Sequence, residues 1–574
     1  MNLKKFRFPL VLFLIFLFIN VYGIWWGLPN YYTWSVDDIT PTQTLKIMSN
    51  FFRVKSQYPL FHYVLSGVFY TPYLAYLYLT GDLVSPHKGF PYGFTDPLTS
   101  LTVLLLISRL ISAIMGSLAV VFIYLAVKNL YGHKAALFSA LCVGLSYKFI
   151  LFAHLGNLDM PYVFWLSLTI YSYIRLLKTY KLKYYILLGV FAALAMSTKD
   201  QILGFFVLLP IPLLYLHFKH HLRESGFNKT IINKKLIYCL IALVLTYTFA
   251  NNILFDFSGF YYRLSFIASG EGVGESIAYG FKRSAEVSGF PNTFFGQIQL
   301  FQEALSQLKY STGIGLFLLL LIGFFYCTYK FDDYIFALLI PLISYYLFNI
   351  AAINFIRWRY TIPIIIILSI FAGKFLSDLI DHVKDKKFVY PLIFLVFSHA
   401  FVYGFSADLS LVYDSRHSAE NWMIDNIPKE ANIEVYQDEK YLPRFHAIGF
   451  KNVNHIFFFW NKTTEPPELL FKPIPSLPDI TSLNKRGPDY IIISGARDIN
   501  IEYALLPEGL EKKKIEFKET DKEKEIRSYF DLILSEKVGY KIIKIFDNKI
   551  PFAPETPSVL KRVNIPVIIL KKER

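Results

Sequence analysis

The chain reads as a polytopic α-helical membrane protein with an α/β domain after its last span, and three observations lead there. First, 54% of the 574 residues are hydrophobic and 18% aromatic, and runs such as 8–26 and 314–329 hold no charge. Apolar stretches near twenty residues can cross a hydrocarbon core of about 30 Å. Second, most Lys and Arg of the first 407 residues fall in short segments between such runs. Third, beyond residue 407 charges become frequent and short β-branched or aromatic runs replace the long apolar ones. A soluble protein is excluded by the first observation. The net charge of +15 is explained by the second as a topology signal rather than a phosphate-reading surface.

The expected spans are 8–26, 101–127, 135–153, 160–177, 184–198, 201–218, 236–253, 312–329, 333–353, 360–380 and 388–406. Lys4, Lys5 and Arg7 precede an apolar run as in a signal peptide, but no small-residue cleavage site follows, so the first span is read as retained. The run 58–79 decides the topology. If it does not cross, segments 1–7, 128–134, 178–183, 219–235, 330–332 and 381–387 share one side and hold seventeen Lys and Arg. If it crosses, the most basic loops land outside. The positive-inside rule selects the first arrangement. Pro72 and the many tyrosines of that run suit a helix lying at the interface. About eleven transmembrane helices follow, plus interfacial helices, with the N-terminus cytoplasmic and the C-terminal domain extracytoplasmic. The expected domains are 1–407, with outer loops 27–100 and 254–311, and 408–574.

In 408–574, the runs 432–436, 453–459, 489–494, 540–546 and 565–570 read as strands, and 418–426 as an amphipathic helix stopped by Pro428. About 165 residues suffice for one α/β domain, which carries no catalytic motif and would cap the membrane domain or hold an acceptor. Cys142, Cys239 and Cys327 are scattered among the spans and read as small apolar side chains.

The polar residues that topology leaves over collect on the outer side. Asp37-Asp38 follows the first span among Trp25, Trp26, Tyr31, Tyr32 and Trp34, where desolvation favours a carboxylate acting as a base. Asn157-Leu158-Asp159-Met160-Pro161 is equally an ordinary helix start, in which Asp159 would only cap. Lys199 is the cation of a tight outer turn; it would either snorkel or meet a lipid phosphate at headgroup depth. Arg357 and Arg359 open the tenth span, beside Tyr360, from a side that topology keeps poor in positive charge. Arg forks bind phosphate oxygens well. Arg109 and Lys148 lie within or near spans and are weaker candidates. The segment 270–275, Gly-Glu-Gly-Val-Gly-Glu, lacks the Lys-Ser/Thr of a phosphate loop and reads as a mobile outer segment. His217 and His221 have helical metal-pair spacing but sit in a basic inner loop; His62 and His154 are lone outer histidines.

Taken in order, these motifs resemble the GT-C type, lipid-phosphate-sugar-dependent transferases, in particular the protein O-mannosyltransferase and aminoarabinose-transferase branch. Asp37-Asp38 is similar to the acidic pair after that family's first span. Gln57-Tyr58-Pro59-Leu60-Phe61-His62-Tyr63 resembles its interfacial helix, Ser108-Arg109-Leu110 the opening of its next span, and 157–161 its second outer acidic motif. Thr198-Lys199 and Arg359-Tyr360 continue the series. Asp414-Ser415-Arg416, Asn421-Trp422 and Asn426-Ile427-Pro428 resemble the outer domain of many members. Two positions depart from the pattern: Asp38 stands where the mannosyltransferases have Glu, and Pro59 is a single proline where they have a pair.

The resemblance implies an inverting transfer of a sugar from a polyprenyl- or dolichyl-phosphate donor to a hydroxyl of a protein, lipid or glycan acceptor. In it Asp37 is the base, with Asp38 and Asp159 positioning substrate. Lys199, Arg357, Arg359 and Tyr360 hold the donor phosphate, and His62, His154 and Asn157 are candidate donor or acceptor contacts. It implies no metal, although carboxylates of this set could recruit Mg²⁺ or Mn²⁺. The rival readings are a transporter or lipid-linked sugar flippase, which would show internal repeats and midplane ionisable groups, and a non-catalytic scaffold.

Overall fold

The computed structural model describes residues 7–31, 33–35, 38–39, 41–87, 89–225, 234–269, 289–436, 439–458, 474–494, 521–554 and 563–573, with backbone alone at 221–225, 266–269, 457, 522 and 523. Asp37 and the segment 270–275 lie outside these residues. The chain forms two compact units. One gathers Met1–Ile24, Ile39–Gly81 and Leu104–Asp408; the other gathers Trp25–Asp38, Asp82–Val103 and Leu409–Arg574.

The first unit is helical. Six helices of the described chain are long and apolar enough to cross a membrane, among them Pro97–Gly144, Phe294–Tyr329 and Trp358–His382. Arg7–Val21 and Leu182–Met196 are apolar but shorter, and Phe61–Thr80, expected at the interface, is not among the six. The two longest helices are interrupted where glycine allows a backbone turn. Gly132 has φ 88° and Gly313 φ 74°, a region costly for residues with a Cβ.

Small residues let these helices approach closely, as expected where lipid offers no hydrophobic drive for helix association. A Cβ on Gly373 would lie 2.4 Å from the carbonyl oxygen of Ala135 and 2.1 Å from Ser139 Oγ. A Cβ on Gly323 would lie 2.5 Å from Ala372 Cα. The obstacles include backbone, so a side chain must push the helices apart. Gly373→Val is expected to lower the thermal unfolding temperature in detergent by several degrees, the effect of about 1–3 kcal/mol of overpacking. An unchanged midpoint would mean that this seam is pliable.

The second unit holds a six-stranded sheet. Its strands are β1 Ile433–Val435, β2 Val453–Phe458, β3 Ile474–Ser476, β4 Tyr490–Ser494, β5 Tyr540–Phe546 and β6 Val567–Lys572, in the order β3-β2-β1-β4-β6-β5. The first four are parallel, and β6 pairs antiparallel with β4 and β5. Five of the six strands fall on runs read from the sequence. The exception is β3, whose Ile-Pro-Ser is too short and proline-broken to signal a strand. Side-chain alternation divides β4 between two cores: Tyr490 and Ile492 face Ala419 and Met423 of helix Ser415–Asn426, while Ile491 and Ile493 face Tyr529, Phe530 and Ile533 of helix Asp521–Leu534. Burial on both faces explains why this strand reads as continuous Ile rather than as an alternating pattern.

The inter-span residues of this unit are stitched to its tail. The Trp34 ring is fully buried, its indole N–H donates to Leu442 O at 3.0 Å, and the Arg416 guanidinium lies 3.9 Å from the ring. Arg416 forks onto Asp414 at 2.9 and 2.8 Å, and Trp26 Nε1 donates to the same carboxylate at 3.1 Å. The Asp414-Ser415-Arg416 motif is therefore the clamp for an aromatic anchor.

Candidate functional site

Asp159 is the first residue of helix Asp159–Thr179 and is 1% exposed. A capping carboxylate would accept from the helix's own amides. Here the turn is closed instead by Asn157, whose Oδ1 accepts from the Asp159 N–H at 2.9 Å. That leaves the Asp159 carboxylate for cations: Lys199 Nζ is 2.5 Å from Oδ1, and Arg359 NH1 is 3.9 Å from Oδ2. Lys199 and Arg359 are both buried.

Local sequence explains each placement. Lys199 is extended, with φ −154° and ψ 120°, between helix Leu182–Met196 and the short 3₁₀ turn Asp200–Ile202, so it sits at a helix-to-helix corner. Arg359 lies in the 3₁₀ turn Trp358–Thr361, just before Pro363 at the N-terminal end of helix Ile362–His382. Ahead of that turn the chain widens into a π-helical stretch, Tyr346–Ala351. Tyr162, Tyr345 and Tyr360 are buried and interact electrostatically with Asp159. Lys199 Nζ is 5.5 Å from the Tyr162 ring centre. The result is one buried carboxylate with two cations and an aromatic wall.

Buried unpaired charge is costly, and a pair is retained only when its geometry is good. Lys199 and Arg359 carry the kind of donors that bind phosphate oxygens. The same donor set suits a divalent cation poorly, because both Asp159 oxygens face positive groups. No cluster of three His, Cys, Asp or Glu able to hold a metal occurs among the described residues.

The other expected residues are placed as follows. Arg357 is half-buried, 5.3 Å from the Phe355 ring, and interacts electrostatically with Tyr360. Asn157 is buried, and its Nδ2 has no hydrogen-bond partner among the described residues, an orphan donor costing about 1–3 kcal/mol. His62 is buried on helix Phe61–Thr80. His154 is buried, with both ring nitrogens 2.8 Å from backbone carbonyls. Asp38 belongs to the second unit, where the Thr33 hydroxyl donates to its Oδ2 at 2.6 Å. Asp37 lies outside the described residues.

The Ile39 N–H, two residues after Asp37, donates to Gly156 O at 2.8 Å, three residues before Asp159. Ile39 also packs with Leu158, Leu60 and Tyr63 in one buried cluster.

Sequence reasoning missed a network beneath Lys199. Arg263, buried in helix Phe257–Ser269, donates to Asn251 Oδ1 at 2.7 Å and lies 3.7 Å from Asp200. Asn251 in turn donates to Ser197 Oγ at 2.7 Å. These bonds fix both sides of the Lys199 corner. The signal was present: Arg263 is an arginine among aromatics, Phe-Tyr-Tyr-Arg-Leu-Ser-Phe, the same pattern that drew attention to Arg357 and Arg359.

Residues 102–252 match the family model described as dolichyl-phosphate-mannose-protein mannosyltransferase, a segment that includes Asp159 and Lys199. The chain is similar to a crystal structure of ArnT from Cupriavidus metallidurans bound to undecaprenyl phosphate, at 12% identity and TM-score 0.45, over 86% of this chain and 94% of that one. It is similar to the archaeal oligosaccharyltransferase AglB from Archaeoglobus fulgidus in complex with an inhibitory peptide and a dolichol-phosphate, at 13% identity and TM-score 0.41, over 86% and 70%. It is similar to the S. cerevisiae protein O-mannosyltransferase Pmt1-Pmt2 complex bound to the sugar donor, at 17% identity and TM-score 0.33, over 43% and 34%. No curated protein sequence matches the chain.

Proposed function

We propose that this chain is an integral membrane glycosyltransferase that moves a sugar from a polyprenyl- or dolichyl-phosphate donor to an acceptor hydroxyl on the extracytoplasmic face, with inversion. The observation that carries the reading is the buried cluster of Asp159 with Lys199 and Arg359. The family model across 102–252 supports the donor class. Loop charge supports eleven crossings with a cytoplasmic N-terminus and an extracytoplasmic tail.

The electrostatics suit the reaction. A sugar phosphodiester carries one negative charge; the phosphate it leaves behind carries two. Cations fixed beside the leaving oxygen are worth more as that charge develops, and this differential is what lowers a barrier. Lys199 and Arg359, joined by Arg357 and Tyr360, hold the phosphate. Asp159 keeps the first two cations aimed while they wait, at the cost of weakening each. Asp37 takes the proton of the acceptor hydroxyl as its oxygen bonds to the anomeric carbon, and the anomeric C–O pair goes to the phosphate. Asp38, His62 and Asn157 contact sugar or acceptor.

Purified protein in nanodiscs, given a donor labelled in its sugar, is expected to cleave the sugar–phosphate bond and transfer or release the sugar. Intact donor crossing a sealed vesicle without cleavage would establish a flippase instead. Arg263→Met is expected to raise the donor KM about tenfold with a smaller change in kcat, because it loosens the Lys199 corner without touching the reacting atoms. A KM unchanged beside a lowered thermal stability would reduce Arg263 to a packing role.

A further inference from the structure

We propose that Tyr345 and Asn349 are two further phosphate ligands of the site, neutral donors to the non-bridging oxygens of the lipid phosphate beside Lys199 and Arg359; the inference rests on the transferase reading above. Tyr345 is the last residue of helix Asp333–Tyr345, and Asn349 lies in the π-helical stretch Tyr346–Ala351 that continues it. Stretches of this kind are rare and occur mostly as single turns, often at functional sites. Both side chains are inside the protein, Tyr345 1% and Asn349 6% exposed.

Tyr345 stands beside the charged cluster. It interacts electrostatically with Asp159 and Tyr360, and also with Tyr162, which itself interacts with Asp159 and Arg359. The Asn349 amide is turned toward the Tyr345 oxygen. Neither the Tyr345 hydroxyl nor Asn349 Nδ2 makes a hydrogen bond of good geometry to any described residue. A buried donor without an acceptor costs about 1–3 kcal/mol, and native folds keep few of them. The backbone around the two is fixed. Ser344 Oγ donates to Gly204 O at 2.6 Å and accepts from the Leu208 N–H at 3.0 Å. A Cβ on Gly204 would lie 3.0 Å from Asn349 Cβ and 3.1 Å from its backbone nitrogen. Gly204 follows Lys199 by five residues, so the chain leaving the Lys199 corner packs directly on the turn that carries both donors.

What the two side chains lack decides the ligand. A phenol keeps its proton at neutral pH and, with an amide at its oxygen, still has that proton to give. A carboxamide nitrogen only donates. Their partner must therefore bring acceptors. The free oxygens of an ionised phosphate only accept, whereas a sugar hydroxyl both gives and takes, and an ammonium group accepts nothing. Lys199 and Arg359, set around the same Asp159, favour the anionic group. Neutral donors add hydrogen bonds to that group without adding another charge to bury.

Binding and stability of the full chain in nanodiscs test this. Polyprenyl phosphate without sugar is expected to bind about tenfold more weakly to Tyr345→Phe and to Asn349→Leu, the loss of one hydrogen bond to a charged group. Before polyprenyl phosphate is added, Tyr345→Phe is expected to unfold at the wild-type temperature or above it, because the missing hydroxyl had no acceptor. Added polyprenyl phosphate then raises its midpoint less than it raises that of the wild type. A lower midpoint for Tyr345→Phe before the addition shows a hydroxyl that serves the fold and overturns the proposal. Unchanged affinity in Tyr345→Phe overturns it even if Asn349→Leu does not fold. A loss confined to the sugar-bearing donor puts the two side chains on the sugar and overturns the phosphate assignment. Inorganic phosphate is expected to leave the wild-type midpoint in place, and a shift as large as that from polyprenyl phosphate overturns the lipid source. If the wild-type chain binds no polyprenyl phosphate, the transferase reading falls; if it binds and both variants bind equally well, this inference alone falls.

Discussion

On the proposed reading, Asp37→Asn is expected to lower kcat for sugar transfer about 10²–10⁴-fold, the range for removing a general base, while donor affinity stays within about twofold. The assignment comes from chemistry and chain order. The acceptor hydroxyl must lose a proton as it attacks, and a carboxylate among aromatic residues at a membrane boundary has the raised basicity for that work. Asp38 accepts a hydrogen bond from the Thr33 hydroxyl; proposed as the positioning partner, it is expected to give the milder change as Asp38→Asn. Ile39, the residue after the acidic pair, is bonded to the turn ahead of Asp159. Full activity in Asp37→Asn, or a dead Asp38→Asn beside a live Asp37→Asn, removes the assignment.

The sequence revealed helices more readily than it revealed their partners. Runs of apolar residues announce a helix whatever it packs against, and six helices among the described residues are long and apolar enough to cross a membrane. The breaks at Gly132 and Gly313, where the backbone takes dihedrals that only glycine adopts easily, went unread. The strands β1, β2, β4, β5 and β6 were likewise visible as β-branched runs between polar breaks, while the strand order was not, since pairing depends on contacts far apart in sequence. At the site, Lys199 and Arg359 could be singled out because each is a cation where topology disfavours one. Their convergence on Asp159, 40 and 200 residues away, could not be read, nor could Asp159 be told from a cap until Asn157 was seen to close the turn. Arg263 was passed over because it falls inside a long expected loop, where charge excites no suspicion. His154 stands out in the sequence only as a lone outer histidine, and the two backbone carbonyls beside its ring nitrogens leave no trace there.

Lys199→Met is expected to do two separable things. It removes one of two cations from a buried carboxylate, leaving Asp159 with Arg359 at 3.9 Å, and breaking a buried pair in this way costs about 3–5 kcal/mol. The thermal midpoint should fall accordingly. On the proposed reading it also removes a phosphate ligand, and losing one hydrogen bond to a charged group weakens donor binding by about 10- to 150-fold, from 1.5–3 kcal/mol. A single variant confounds the two effects, so the informative experiment adds Asp159→Asn. The double variant no longer buries an unbalanced carboxylate, and much of the lost stability should return. Donor affinity should not return with it. A lysine present only to neutralise Asp159 becomes dispensable once Asp159 is neutral, whereas a lysine that grips phosphate is missed in either background. Recovery of both stability and donor affinity in Lys199→Met/Asp159→Asn would make Lys199 a structural counter-ion and move the phosphate site to Arg357 and Arg359 alone.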